Sequence, residues 1–246
     1  MIDTHAHLDA LDAGALARAR ECGVTRVVTI GTDVPGCRRA LEIAAANDGV
    51  FAVLGIHPHE AGTATDDDIA AVRELLTHPK AVGVGETGLD WFRDYAPHDA
   101  QTHLFERLLA VAAEVGKPAV IHTRAADADT LAVLAGFSGA VVLHCFSSPH
   151  LLETALERGW YVSFAGNATY PKAVDLRLAA TLVPPCRILA ETDSPYLAPQ
   201  PVRGRRNEPA YVMHTLAALA EARGEDTHDL ERQIERNAVE CFGLPT

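Results

Sequence analysis

Short β-branched, apolar runs alternate with longer Ala-, Leu-, Glu- and Arg-rich stretches along the whole 246-residue chain. The runs predict strands near residues 1–4, 25–31, 50–56, 81–86, 118–122, 140–144, 161–165 and 187–192. Ala140-Val141-Val142-Leu143 is apolar at every position, the pattern of a strand covered on both faces in a parallel sheet flanked by helices. Between the runs, Ala15, Leu16, Ala19 and Arg20 before Gly23, and Leu104, Leu108, Val111 and Val115 before Gly116, carry helical spacing with a glycine at the stop. Eight strand–helix units over this length predict an α/β protein, a (β/α)8 TIM barrel, with an open doubly wound sheet as the competing arrangement. No linker or low-complexity tract interrupts them, so residues 1–246 are expected to form a single domain.

Charge narrows the partners. Lys+Arg 21 against Asp+Glu 33 gives a formal charge of −12, which excludes a broadly basic surface coating nucleic acid and leaves room only for a local basic patch. Hydrophobic residues make up 48% of the chain and no long block of like charge occurs, so extended disorder is excluded. The start, Met1-Ile2-Asp3-Thr4-His5, has neither a basic stretch nor an apolar core, and no run is long enough to span a membrane. The five cysteines form no C-x-x-C pair. The expectation is a cytoplasmic protein with free, mostly buried thiols, no membrane contact and no obligate protein partner.

Residues able to do chemistry gather at the C-terminal ends of the predicted strands: His5 and His7 at the first, Glu86 at the fourth, His122 at the fifth, His144 at the sixth, and Asp193 after the eighth. In a barrel those ends share one face, so positions far apart in sequence converge. Singly, each has an ordinary reading. His5-x-His7 is a half-site for a divalent transition metal or a structural pair. Glu86, between Gly85 and Thr87-Gly88, is a carboxylate that can bridge two cations, a helix cap or a satisfied buried acid. His122 and His144 are ligands or core histidines, and Asp193 before Ser194-Pro195 is a ligand or a turn signal. Six ordinary readings all falling on one face is the less economical account, and a shared metal site is preferred.

Two further groups flank this set. His57 and His59, in Gly55-Ile56-His57-Pro58-His59, follow the third strand and are expected to contact substrate rather than metal. Arg203-Gly204-Arg205-Arg206, ahead of a helix carrying Val212, Met213, Leu216 and Ala220, reads as a phosphate site, with Arg124 as a fourth positive group. The alternative is a solvated basic loop. A basic island on an acidic chain suits a ligand held end-on, not a duplex gripped along its length.

Seven ordered stretches resemble the TatD family of metal-dependent hydrolases over essentially the full length. They are Ile2-Asp3-Thr4-His5-Ala6-His7-Leu8-Asp9, Gly55-Ile56-His57-Pro58-His59, Gly85-Glu86-Thr87-Gly88-Leu89-Asp90, Ile121-His122-Thr123-Arg124, His144-Cys145-Phe146-Ser147, Glu191-Thr192-Asp193-Ser194-Pro195-Tyr196-Leu197 and Arg203-Gly204-Arg205-Arg206-Asn207-Glu208-Pro209. The resemblance implies a (β/α)8 barrel whose metal ligands are His5, His7, Glu86, His122, His144 and Asp193, with Glu86 shared by two divalent cations. It implies an enzyme hydrolysing ester bonds, first of all a deoxyribonuclease acting on single-stranded DNA from the 3′ end. A D-aminoacyl-tRNA deacylase or another ester hydrolase is the alternative, and a non-catalytic nucleic-acid-binding barrel the remote one. Two positions depart from the family pattern: Ser148 stands where Gly is usual, and Thr87 where Ile is frequent. Because Gly takes positive φ at little cost and Ser does not, the loop after the sixth strand is expected to differ in shape.

For phosphodiester hydrolysis, a cation pair generates the nucleophile and neutralises charge on the phosphoryl oxygens. On this reading His5, His7, Glu86 and Asp193 hold one ion and Glu86, His122 and His144 the other. Glu86 and Asp193 are then the catalytic residues, Asp193 as general base or water-orienter, and Arg205 with Arg203 or Arg206 holds phosphate. Imidazole-rich ligation favours Zn²⁺ or Mn²⁺, whereas the family resemblance favours Mg²⁺. Related barrels bridge their metals with a carboxylated lysine. Here Lys80 and Lys117 precede predicted strands and Lys172 lies at a helix start, so Glu86 holds the plausible bridging place.

Overall fold

The structure, a computed structural model, describes residues 1–93 and 95–245. Each predicted run becomes a strand: β1 (Ile2–Ala6), β2 (Arg26–Gly31), β3 (Val50–Leu54), β4 (Ala81–Asp90), β5 (Ala119–Arg124), β6 (Val141–Leu143), β7 (Tyr161–Phe164) and β8 (Ile188–Ala190). The α-helices of the described residues are α1 (Ala15–Glu21), α2 (Val34–Ala46), α3 (Asp66–Leu75), α4 (His98–Val115), α5 (Asp127–Leu134), α6 (Leu152–Glu157), α7 (Val174–Leu182), α8 (Val212–Arg223) and α9 (Thr227–Phe242). The sheet order is β1-β2-β3-β4-β5-β6-β7-β8, with sequence neighbours running parallel and helices between them. That order, with its unbroken βα alternation, is the (β/α)8 TIM-barrel class.

By internal contacts the chain divides into two compact units, residues 30–143 and residues 1–29 with 144–246. In the first, β3 and β4 are buried at every position, as strands covered on both faces must be. Helix α4 buries Leu104, Phe105, Leu108, Val111 and Ala112 on one stripe against β4 and stops at Gly116, whose φ of 66° is left-handed. Helix α3 opens with a reciprocal capping box between Thr65 and Asp68. In the second unit, α9 buries Leu230, Ile234, Asn237, Ala238 and Cys241 and is capped by Asp226. The Asn237 side chain donates to the carbonyls of Pro185 and Ile188, at 2.7 Å each, tying α9 to the segment that enters β8.

Two expectations are corrected. Strands β4 and β5 run on to Asp90 and Arg124, so Glu86 and His122 lie within strands rather than at their ends. The pairing continues through Gly88 opposite His122 and Asp90 opposite Arg124, after a register shift between Val84 and Thr87. A side chain at Gly88 would collide with the His122 backbone oxygen, so the two strands approach this closely only because glycine stands there. The cysteines are all free, but only Cys37 and Cys241 are buried; Cys22 caps α1 and Cys186 sits in the turn before β8, both exposed, and Cys145 is half-buried. Among the described residues, no helix is long and apolar enough to cross a membrane.

Candidate metal centre

In the unit formed by residues 1–29 and 144–246, alternation along β1 places Asp3 and His5 on the same side of the strand. Asp3 is fully buried and accepts hydrogen bonds from the Thr192 amide (2.9 Å), the Thr192 hydroxyl (2.6 Å) and the His5 amide (3.3 Å). Burial pushes its carboxyl up to about 8, against the pull of the Thr192 bonds. The pair clamps β1 to the segment that follows β8. That segment carries Asp193 at a left-handed φ of 54°, a conformation a short polar side chain tolerates best after glycine. The Asp193 amide donates to the His5 carbonyl at 2.9 Å, and the Asn207 amide group donates to the carbonyls of Thr192 (2.8 Å) and Tyr196 (2.5 Å). Asp193 Oδ1 consequently lies 3.8 Å from His5 Nε2 and 3.5 Å from His7 Nε2.

His144, the residue after β6, stacks on His5 with ring centroids 4.0 Å apart. Its Nδ1 lies 3.2 Å from Glu191 Oε1, and Glu191 also accepts from the Cys145 amide (2.7 Å) and the Ser163 hydroxyl (2.5 Å). An imidazole that donates Nδ1–H to a fixed carboxylate presents the Nε2 lone pair. Burial pushes the Asp193 carboxyl up, but its contact with His7 and the neighbouring imidazoles of His5 and His144 outweigh that and hold it below the usual carboxylate range.

In the unit of residues 30–143, Glu86, Gly88 and Asp90 share one side of β4. The His122 ring lies between the two carboxylates: Nδ1 is 2.7 Å from Glu86 Oε1 and Nε2 is 3.2 Å from Asp90 Oδ2. Asp90 Oδ2 is also 2.9 Å from His59 Nε2, while Oδ1 accepts from the Phe92 (3.0 Å) and Arg93 (2.9 Å) amides. Burial alone would raise the Asp90 carboxyl; the bonds from His122, His59 and Arg93 prevail and hold it well below its usual range. His57 Nδ1 accepts from the His59 amide at 3.1 Å, so its Nε2 carries the proton and faces Glu86 Oε1 at 3.4 Å. Burial lowers the His57 imidazole to about 4, so the ring is neutral at neutral pH.

These sets fit divalent ions by their donors. The ligand atoms of His5, His7 and Asp193 lie within 4.8 Å of one another, as do those of His57, Glu86 and His122. Imidazole nitrogens mixed with carboxylate oxygens suit Zn²⁺ or Mn²⁺. His57 is within ligand reach but turns a proton, not a lone pair, toward Glu86, a geometry of orientation rather than ligation.

The Arg203 guanidinium stacks on the Tyr170 ring at 3.8 Å, Arg206 donates to the Ala10 carbonyl, and Arg205 is exposed. Arg124, at the end of β5, lies 3.9 Å over the Phe92 ring. Ser148 sits at φ −119°, open to any residue, and the left-handed position of that loop is Cys145 at 46°. Sequence reasoning gave no role to Asp90 and Glu191, the carboxylates that orient His122 and His144, although both lie inside the quoted motifs. An acid two or four residues from a ligand on a buried strand was the available signal.

The profile of a family described as TatD related DNase matches residues 2–243. A metal-dependent hydrolase YabD of Bacillus subtilis, described as uncharacterized, is 35% identical over 253 residues, covering 99% of this chain and 99% of that protein. A protein of Klebsiella pneumoniae named 3'-5' ssDNA/RNA exonuclease TatD is 34% identical over 93% of this chain and 90% of its own length. Among solved structures, YJJV, a TatD homologue from Escherichia coli, matches with a TM-score of 0.94 at 27% identity, covering 100% of this chain and 98% of that one. A TatD family hydrolase from Entamoeba histolytica, 19% identical over 100% of this chain and 98% of its own, shows the same fold with a TM-score of 0.88.

Proposed function

This chain belongs to the TatD family of metal-dependent hydrolases, and we propose that it removes nucleotides from the 3′ end of single-stranded DNA with two divalent cations. The observation that carries the reading is the pair of His/carboxylate sets at the C-terminal halves of the strands, in a chain whose relatives include proteins named as 3′–5′ exonucleases.

In this proposal His5, His7 and Asp193 would hold one cation and Glu86 with His122 Nδ1 another, while His144, oriented by Glu191, would present its Nε2. When bound, such ions supply a nucleophile from water at neutral pH and neutralise charge growing on the phosphoryl oxygens. The remaining work belongs to the side chains. Asp193, kept ionised by the imidazoles around it, orients the attacking water and accepts its proton. Neutral His57 donates its Nε2–H, and His59 is locked to Asp90 at the same wall. Arg124, Arg203 and Arg205 supply positive charge for the scissile and neighbouring phosphates, whereas Arg206 is engaged with Ala10.

The test is nucleotide release from a 3′-labelled oligonucleotide, run beside deacylation of charged tRNA, with chelator-treated enzyme and with Zn²⁺, Mn²⁺ or Mg²⁺ restored. Metal-dependent shortening from the 3′ end supports the proposal. Deacylation without shortening moves the function to the carbonyl ester, and binding of the oligonucleotide without turnover moves it to a non-catalytic role.

A further inference from the structure

Six large apolar side chains stand exposed among the described residues: Val174, Leu178 and Leu182 on α7, and the aromatics Phe92, Tyr95 and Tyr196. The aliphatic three form one stripe of a single helix. The aromatic three are scattered in sequence, yet each lies against a residue already placed in the candidate site. Phe92 is covered on one side by the Arg124 guanidinium at 3.9 Å. Tyr95 meets His59 edge-on, with centroids 4.8 Å apart and planes at 88°. Tyr196 meets His7 in the same manner at 5.9 Å and 72°. In a chain with only 6% aromatic residues, exposed rings set against a site histidine or Arg124 leave in water apolar area that folding would otherwise bury.

Phe92 is not needed to hold the turn that follows β4. Its backbone is fastened by Asp90 Oδ1, which accepts from the amides of Phe92 and Arg93 at 3.0 and 2.9 Å. Trp91 anchors it from the side chain, donating its indole N–H to Asp129 at 2.8 Å and stacking on His98 at 3.7 Å. Phe92 remains 60% exposed on this base, and Tyr95 remains 64% exposed against His59, which the same Asp90 holds at 2.9 Å. The carboxylate that carries the base also orients His122 and His59. The two rings are thus set in fixed register with the Glu86–His122 pair. Arg93, with its guanidinium carbon 5.6 Å from the Phe92 centroid and 6.0 Å from that of Tyr95, adds positive charge at the same place.

We propose that Phe92 and Tyr95 form a stacking subsite for unpaired nucleobases, with Arg93 and Arg124 facing the phosphates between them. Every base has a π-face, so such a platform is tolerant of sequence and selects single strands, whose bases are free to leave one another. With Arg93 and Arg124 beside it on a chain of net charge −12, such a platform suits a strand held at its end rather than a duplex gripped along its length. The inference rests on the nuclease reading and adds the group that the substrate must present.

The experiment compares the metal-loaded wild type with Phe92→Ala, Tyr95→Ala and the double variant. The first probe is a single-stranded oligonucleotide carrying 2-aminopurine near a 3′ end protected by phosphorothioate linkages; the second is cleavable DNA with or without abasic residues at its 3′ end. Stacking quenches 2-aminopurine, so the wild type should quench it and the double variant should not. KM on base-bearing DNA should rise roughly tenfold for each ring removed, with kcat little changed. On abasic DNA wild type and variants should converge, and Phe92→Tyr and Tyr95→Phe should behave as wild type on every substrate. Cleavage with equal KM in wild type and variants overturns the subsite alone, as does an equal loss on abasic DNA. A wild type that neither binds nor cleaves any oligonucleotide overturns the nuclease reading and the subsite with it.

Discussion

Asp90 Oδ2 lies 3.2 Å from Nε2 of His122, and this contact decides which nitrogen of that ring faces Glu86. Asp90 stays ionised, so with a cation at Glu86 it would accept a hydrogen bond from Nε2–H and leave Nδ1 as the nitrogen able to ligate. The same oxygen meets His59, and the other oxygen carries two backbone amides. One fully buried carboxylate therefore organises a ligand, a second histidine and the turn after β4.

Replacing it tests that organisation. Asp90→Asn keeps an oxygen for the amides but weakens the hold on His122, and metal affinity should drop by about 10–100-fold. Competition against a chromophoric chelator measures it. An affinity equal to wild type would show that Asp90 serves only the turn.

Glu86→Ala removes the carboxylate that lies 2.7 Å from His122 Nδ1. The expected result is loss of the cation held there and of turnover, read by elemental analysis of the purified protein and by the oligonucleotide assay. Wild-type activity in this variant would refute the assignment of both His122 and Glu86.

Ion binding should also appear as stability. An ion present at about 1,000 times its Kd adds about 4 kcal/mol to the folded state. For a chain of this size that raises Tm by roughly 8–16 °C, since each kcal/mol is worth about 2–4 °C. Chelation should lower Tm correspondingly, and a His5→Ala/His122→Ala double variant should melt at one temperature with or without metal in scanning calorimetry.

The capping box of α3 offers a test remote from the site. Hydrogen bonds from the Thr65 hydroxyl and amide hold the Asp68 carboxyl below its ordinary 3.8. A carboxylate with a lowered folded-state pKa contributes stability above its unfolded value and loses it as pH falls through the folded one. Thr65→Ala should cost about 1 kcal/mol at neutral pH. The loss should shrink below pH 4, where both chains approach the same protonated state. Denaturant titrations at pH 7 and pH 3 check it, and an equal cost at both would deny Asp68 its part.

The elements of the fold were readable in order because what marks them is local. An apolar run such as Ala140-Val141-Val142-Leu143 and a spacing such as Leu104–Leu108–Val111 each declare a strand or a helix without reference to the rest of the chain. The types of side chain able to bind metal were readable as well, since His5, His7, Glu86, His122, His144 and Asp193 stand out chemically wherever they occur. Partners distant in sequence decided the rest. How far β4 runs depends on Gly88 meeting the His122 backbone, 34 positions away. Which nitrogen His122 presents depends on Asp90, and which His144 presents depends on Glu191, 47 residues on. The loop after β6 shows the same division: the family resemblance pointed to Ser148, but the backbone takes its left-handed turn at Cys145, whose amide is drawn to Glu191. Residue type sets what a side chain can donate or accept; only packing of separate strands sets what it is given to face.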